Sequence, residues 1–218
     1  MIGAHADDET LGLGGTILKA ASNNSIVDVL IVTDSTSSQY VNDNNKKKIR
    51  NANLKAACNK LQVNNIFEFN FPDMQLDSIS HIKLNIKIAK LINKEMYNTI
   101  FVHHPNDINK DHQILFDSVM VACRPQPKSS VTSVLTYYVV SSTEWGGYEA
   151  STMFRPNVFI NISEFIDQKI EVFKIYKDEI REYPHPRSIE NIINTAKYFG
   201  SQVGMGFAEP FKLLRLLN

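Results

Sequence analysis

The run Ile26-Val27-Asp28-Val29-Leu30-Ile31-Val32-Thr33 constrains the fold more than any other stretch, because a nearly continuous β-branched segment bounded by polar residues is a strand buried on both faces. Such strands sit inside parallel sheets covered by helices. The flanking segments agree: Thr10 to Ser22 has the small residues and apolar spacing of a helix packed tightly on a sheet, and Met1 to Gly3 reads as the tail of a strand. Either the start is truncated or this first strand is unusually short. The alternation continues through a helix at Lys46–Leu61, a strand at Val63–Phe69, a helix at His81–Met96, a strand at Thr99–Val102, a helix at Gln113–Ala122 and a strand at Val134–Val140. Beyond these lie a short strand at Asn157–Asn161, a helix opened by Ser163 and running to Arg181, a rigid turn at Tyr183–Ser188, a helix to Phe199, and a strand or extended segment at Glu209–Leu216. The pattern specifies an α/β fold: a doubly wound, mostly parallel sheet between two helix layers, with the C-terminal third as an appendage. No repeat, low-complexity tract or linker interrupts the 218 residues, so one domain over 1–218 is expected.

The 23 Lys and Arg balance the 23 Asp and Glu, which argues against a nucleic-acid partner held through its phosphates. The basic run Lys46-Lys47-Lys48 with Arg50 reads as a solvated helix segment. Cys58 and Cys123 stand far apart, with neither disulfide nor cysteine-zinc spacing, and read as buried thiols of a reducing compartment. No apolar run approaches the roughly 20 residues a bilayer requires, and no signal peptide is evident, so the expectation is a cytoplasmic protein without stable membrane insertion.

Chemistry concentrates in two clusters, each between a strand and a helix. His5-Ala6-Asp7-Asp8-Glu9 follows the first strand, and His103-His104-Pro105-Asn106-Asp107-Ile108-Asn109-Lys110-Asp111-His112 follows the strand at Thr99. In open α/β sheets the carboxyl ends of strands are where ligands bind. A catalytic zinc takes about three N and O ligands and keeps one position open. His5, Asp8 and His112 supply such a set, and Asp7 is left to act as general base toward an activated water. Taken singly, each cluster reads equally as helix capping, since Asp-Asp-Glu suits a helix N-terminus; it is their common position that favours a metal site.

These residues carry a family resemblance. His5-Ala6-Asp7-Asp8-Glu9 with Gly14-Gly15-Thr16, and Asp107-Ile108-Asn109-Lys110-Asp111-His112, resemble the LmbE-like (PIG-L) zinc-dependent N-deacetylases, whose first motif is typically Ala-His-Pro-Asp-Asp-Glu. Leu76-Asp77 after Phe71-Pro72-Asp73, the Ser-Ser-Thr-Glu-Trp loop, His-Pro-Arg-Ser at 185–188 and Ala208-Glu209-Pro210-Phe211 extend the resemblance along the chain. It implies a Rossmann-like sheet, one Zn2+ (or another divalent metal) on His5, Asp8 and His112, Asp7 as base and later proton donor, and an N-acetylated amino-sugar conjugate as the small-molecule substrate. It also places Arg50 and Asp73 where relatives grip sugar hydroxyls. Two departures bear on function. Ala6 replaces the usual proline, which loosens the turn, and Asn109 replaces a histidine that stabilises the oxyanion. Either Asn109 donates a neutral hydrogen bond in its place or His185, between two prolines, reaches in.

Three rivals remain. A nucleotide-binding module fails on spacing, since Ile17 stands where GxGxxG needs its third glycine and three carboxylates repel a pyrophosphate. A related amidase acting on a thiol-sugar or natural-product amide would share the metal site, and a non-catalytic relative would be expected to lose a ligand or the base. A homo-oligomer is compatible with the sequence, which does not decide it.

Overall fold

The computed structural model describes all residues except 39, 41, 42 and 128; three of these fall in the stretch 34–45, whose Ser and Asn content reads as a polar loop, and lie outside the described residues. Strand β2 (Asp28–Thr33) is buried along its whole length. Its side chains alternate between two cores, Val29 and Ile31 packing on one face and Leu30 and Val32 on the other, as a period of two demands. Strands β1 (Ile2–Gly3) and β3 (Asn65–Phe71) flank it in parallel, with Ile2 opposite Leu30 and Asp28 opposite Asn65. A second sheet has the order β4-β5-β7-β6: β4 (Thr99–His103) and β5 (Ser133–Tyr137) are parallel, and β7 (Ala208–Leu216) runs antiparallel between β5 and β6 (Val158–Asn161).

Strand β1 lies against β4. The Tyr137 hydroxyl donates to the Ile2 carbonyl at 3.0 Å and the Ala4 N–H donates to His103 Nε2 at 3.0 Å, tying the sheets together. One core lies under α1 (Asp8–Ser22), α2 (Asn44–Lys60), α5 (Ile166–Phe173) and α6 (Ile189–Ser201); the other lies under α3 (His81–Glu95) and α4 (Lys110–Ala122). This is the expected three-layer α/β/α arrangement. Among the described residues no helix is long and apolar enough to cross a membrane.

Two expectations change. Ser163 does not cap a long helix: its Oγ accepts from the Phe207 N–H at 3.1 Å, α5 starts at Ile166 and ends at Phe173, and a separate 3-10 turn covers Lys177–Glu179. That break lets the Tyr176 ring bury and its hydroxyl reach Glu9 Oε1 at 2.8 Å. The C-terminal third also supplies β6 and β7 to the second sheet, where Tyr137 pairs with Phe211.

Helix α1 approaches the sheet closely because it carries glycines: a Cβ on Gly12 would stand 2.5 Å from the Tyr137 ring, and one on Gly15 2.6 Å from Ile162. A buried ion pair braces its middle. Lys169 Nζ donates to Glu209 Oε1 at 2.6 Å and to the Leu11 carbonyl at 2.9 Å, while Glu209 accepts from the Gly15 and Thr16 N–H groups at 2.9 and 2.7 Å. Removing one partner of a buried pair strands the other charge, so Lys169→Met is expected to lose about 3–5 kcal/mol of stability. Thermal unfolding checks this, and an unchanged melting temperature would count against it.

Candidate active site

The two clusters meet where β1 and β4 end. In the first, the chain turns from β1 into α1 through Asp7, whose φ of 125° is unusual for a residue with a side chain and costs on the order of 1–3 kcal/mol. The turn is held at several points. Glu9 Oε2 accepts the Asp7 N–H at 3.0 Å, and Asp8 Oδ2 accepts the His5 N–H at 2.8 Å. The Ala6 N–H donates to Ser35 Oγ at 2.8 Å, a bond proline could not make, so the departure at Ala6 ties the turn rather than loosening it. Burial raises the Glu9 carboxyl above its ordinary value.

Three candidate ligand residues converge there. His5 Nδ1 lies 3.2 Å from His112 Nε2 and 3.8 Å from Asp8 Oδ2, and His112 Nε2 lies 3.7 Å from Asp8 Oδ1. Ligand atoms about 2.0–2.1 Å from a tetrahedral ion stand about 3.3 Å from one another, so the set fits a divalent cation. The outer nitrogens of both rings face carboxylates: His112 Nδ1 is 3.2 Å from Asp107 Oδ1, and His5 Nε2 is 3.1 Å from Asp73 Oδ1 and 3.3 Å from Asp111 Oδ2. Carboxylates in that position fix the tautomer and aim the inner nitrogen. Burial works to lower the His5 pKa, but Asp111 and Asp73 outweigh it and raise it to about 10. Burial likewise pushes Asp8 up, yet His103, His112 and His5 around it hold it well below the usual carboxylate range.

Asp7 is buried beside this set. Its Oδ2 lies 3.1 Å from Arg187 Nη1 and 3.4 Å from Arg50 Nη2, while its Oδ1 has no hydrogen-bond partner among the described residues. Burial raises its pKa to about 7 against the pull of the two guanidinium groups. Asn109 caps α4, its Oδ1 accepting from the Asp111 N–H at 2.9 Å, and its amide nitrogen is 3.5 Å from Met74 Sδ. The open cleft, with about 440 Å3 of empty space, is lined by residues that include His5, Asp7, Arg50, Asp73, Asn109 and Arg187.

Seven of the eight residues singled out from the sequence, His5, Asp7, Asp8, Arg50, Asp73, Asn109 and His112, are thus brought together. His185 is not among the cleft-lining residues: its Nδ1 accepts the Arg187 N–H at 3.0 Å and its ring meets Trp145 edge-on. Asp73 turns its Oδ1 to His5 and accepts from Ser38 Oγ with Oδ2, while lining the cleft. Sequence reasoning passed over Arg187, Glu179, Asp107 and His103. Arg187, Asp107 and His103 carried a signal, lying inside the stretches quoted above, and Glu179 carried none. His103 is fully buried, stacks on the His112 ring at 3.6 Å, and has its pKa lowered to about 4 by burial and by that neighbour.

Residues 1–123 match the PIG-L family, described as GlcNAc-PI de-N-acetylase. The chain is 25% identical over 185 residues, 81% of its length and 88% of its relative's, to the uncharacterized deacetylase YaiS of Escherichia coli (strain K12). Its fold is similar to that of N,N'-diacetylchitobiose deacetylase from Pyrococcus horikoshii, with a TM-score of 0.77 at 19% identity over 98% of this chain and 82% of that one. It is equally similar to GalB, the 4-carboxy-2-hydroxymuconate hydratase of Pseudomonas putida KT2440, with a TM-score of 0.77 at 14% identity over 100% and 96% of the chains, so the fold by itself does not fix the reaction. The family match spans more than half of the chain: the protein belongs to the PIG-L family and is an amide-hydrolysing deacetylase.

Proposed function

We propose that the protein removes the acetyl group from an N-acetylated amino sugar within a larger conjugate, with one zinc ion, or another divalent cation, held by His5, Asp8 and His112. The observation that carries this reading is the convergence of His5 Nδ1, His112 Nε2 and Asp8, with each outer imidazole nitrogen turned to a carboxylate. When bound, such a cation polarises the acyl oxygen and brings the pKa of a water to about 7.

The chain's own groups do the rest. Asp7 Oδ1, buried and without a partner among the described residues, takes the proton of the attacking water as the new C–O bond forms, then gives it to the sugar nitrogen as the C–N bond breaks, leaving a free amine and acetate. Asn109 faces the cleft with its carbonyl engaged in the helix cap, which leaves its NH2 to donate to the oxyanion. Asp73, Asp111 and Asp107 act through the histidines. Arg50 lines the cleft beside Asp7, with its Nη1 on Glu179 Oε1 at 2.7 Å. The diacetylchitobiose substrate in the name of the Pyrococcus relative supports a sugar substrate. In this reading the enzyme is cytoplasmic and its substrate is a small molecule.

The purified protein is expected to hold about one divalent cation per chain, and chelation to abolish acetate release from N-acetylglucosamine conjugates; full activity after complete metal removal, read by elemental analysis, would sink the mechanism. Asp7→Ala should cost on the order of 10²–10⁴ in turnover while metal content stays intact, whereas His112→Ala should lose both; equal metal loss in the two variants would contradict the assigned roles. Asp107→Asn, which leaves His112 unaimed, is expected to weaken metal affinity roughly 10–100-fold. A chelator competition titration measures this, and an unchanged affinity refutes it.

A further inference from the structure

We propose that Arg187 is the positioning residue for Asp7, holding one carboxylate oxygen so that the other faces the reacting water. The proposal rests on the reading of Asp7 as the base. Four charged groups close a ring: Asp7 Oδ2 meets Arg187 Nη1 at 3.1 Å and Arg50 Nη2 at 3.4 Å, and Glu179 joins the two arginines, Oε1 to Arg50 Nη1 at 2.7 Å and Oε2 to Arg187 Nη1. Two cations and two anions cancel, so the ring sits in the cleft wall without net charge. Both arginines lie on the same oxygen. That leaves Asp7 Oδ1 buried and without a partner among the described residues, which is the asymmetry a base needs.

Arg187 is itself fixed. Its Nε donates to Ser141 Oγ at 2.7 Å, and Nη1 serves both Asp7 and Glu179, so three of its five N–H donors are spent inside the protein. A residue that grips substrate would keep those donors for the ligand. The planar guanidinium fork explains why an arginine stands here, since an ammonium offers no fixed pair of directions. Three local features lie at the ring: Ser141 adopts a φ of 64°, the 3-10 turn after α5 ends on Glu179, and the turn before α6 carries Arg187 to Asp7 while His185 faces Trp145. Glu179, Ser141 and Arg187 all lie beyond the family-matched residues 1–123. The part of the chain outside that match therefore supplies the orientation of a base that lies inside it.

The test is a pair of double-mutant cycles on the metal-loaded protein, using Asp7→Asn, Arg187→Ala and the double variant, with Arg187→Lys beside them. Arg187→Ala is expected to lower kcat about 100-fold, the cost of a misplaced catalytic group, with KM and metal content little changed. Arg187→Lys should recover only a small part, and added guanidinium should rescue Arg187→Ala but not Asp7→Asn. In the Asp7→Asn background the loss of Arg187 should add almost nothing to the kinetic defect. In thermal melts the two substitutions should be non-additive. A raised KM with kcat preserved would make Arg187 a substrate contact and overturn the proposal, as would additive effects in both cycles, or metal loss in Arg187→Ala. Should the wild type release no acetate from any acetylated sugar, the functional reading fails, while the melting cycle still decides whether Arg187 acts on Asp7.

Discussion

Two imidazole nitrogens, His5 Nδ1 and His112 Nε2, face each other at 3.2 Å beside the Asp8 carboxylate, and much of the fold serves to hold them there. At that distance the two nitrogens share either a proton or a cation, since two bare lone pairs would repel. The protein commits both rings to this arrangement by giving their outer nitrogens carboxylate partners in Asp107, Asp73 and Asp111. Those carboxylates are anchored in turn. Asp111 accepts the Met74 and Leu76 N–H groups at 2.7 and 3.0 Å, and Asp107 accepts from the Ser142 and Thr143 hydroxyls. The loops after β3, β4 and β5 are thereby pinned to one point, and the parallel strand ends decide where that point is.

The second constraint is the turn at Asp7. A positive φ for a residue with a side chain persists only where its surroundings insist on it. Here Glu9 holds the backbone N–H, Tyr176 and Thr10 hold Glu9, and the Arg50, Arg187 and Glu179 ring holds the side chain. The close approach of α1 to the sheet, made by Gly12 and Gly15 and braced by Lys169 and Glu209, fixes the helix from which this turn departs. Packing far from the cleft thus sets the direction of one carboxylate oxygen within it.

Much of this was legible in the residues. The β-branched run at 26–33 and the alternation around it indicated a layered α/β fold, because burial on both faces leaves a strand few other settings. The two polar clusters were legible because ligand-bearing turns follow the ends of parallel strands. The length of α5 was not, since the apolar periodicity continues past Phe173, where the chain instead leaves the helix and buries Tyr176. Nor was the placement of His185 and Arg187. The two lie two positions apart in one turn, and which of them enters the cleft depends on partners at Ser141, Glu179 and Trp145 that local sequence does not reveal.

The sequence by itself determined the order of strands and helices, the family, and the residue types available for chemistry, because these follow from hydrophobic period and from the donor atoms each side chain carries. Tertiary structure alone decided which atoms of those residues meet. Asp73 aims a histidine, Ala6 ties its turn through an N–H that proline lacks, and the C-terminal third closes a ring of charge around Asp7. Each depends on groups from 29 to 180 positions apart coming within hydrogen-bonding distance. Distance along the chain carries no information about such meetings; the packing of two helix layers on one shared set of strands does.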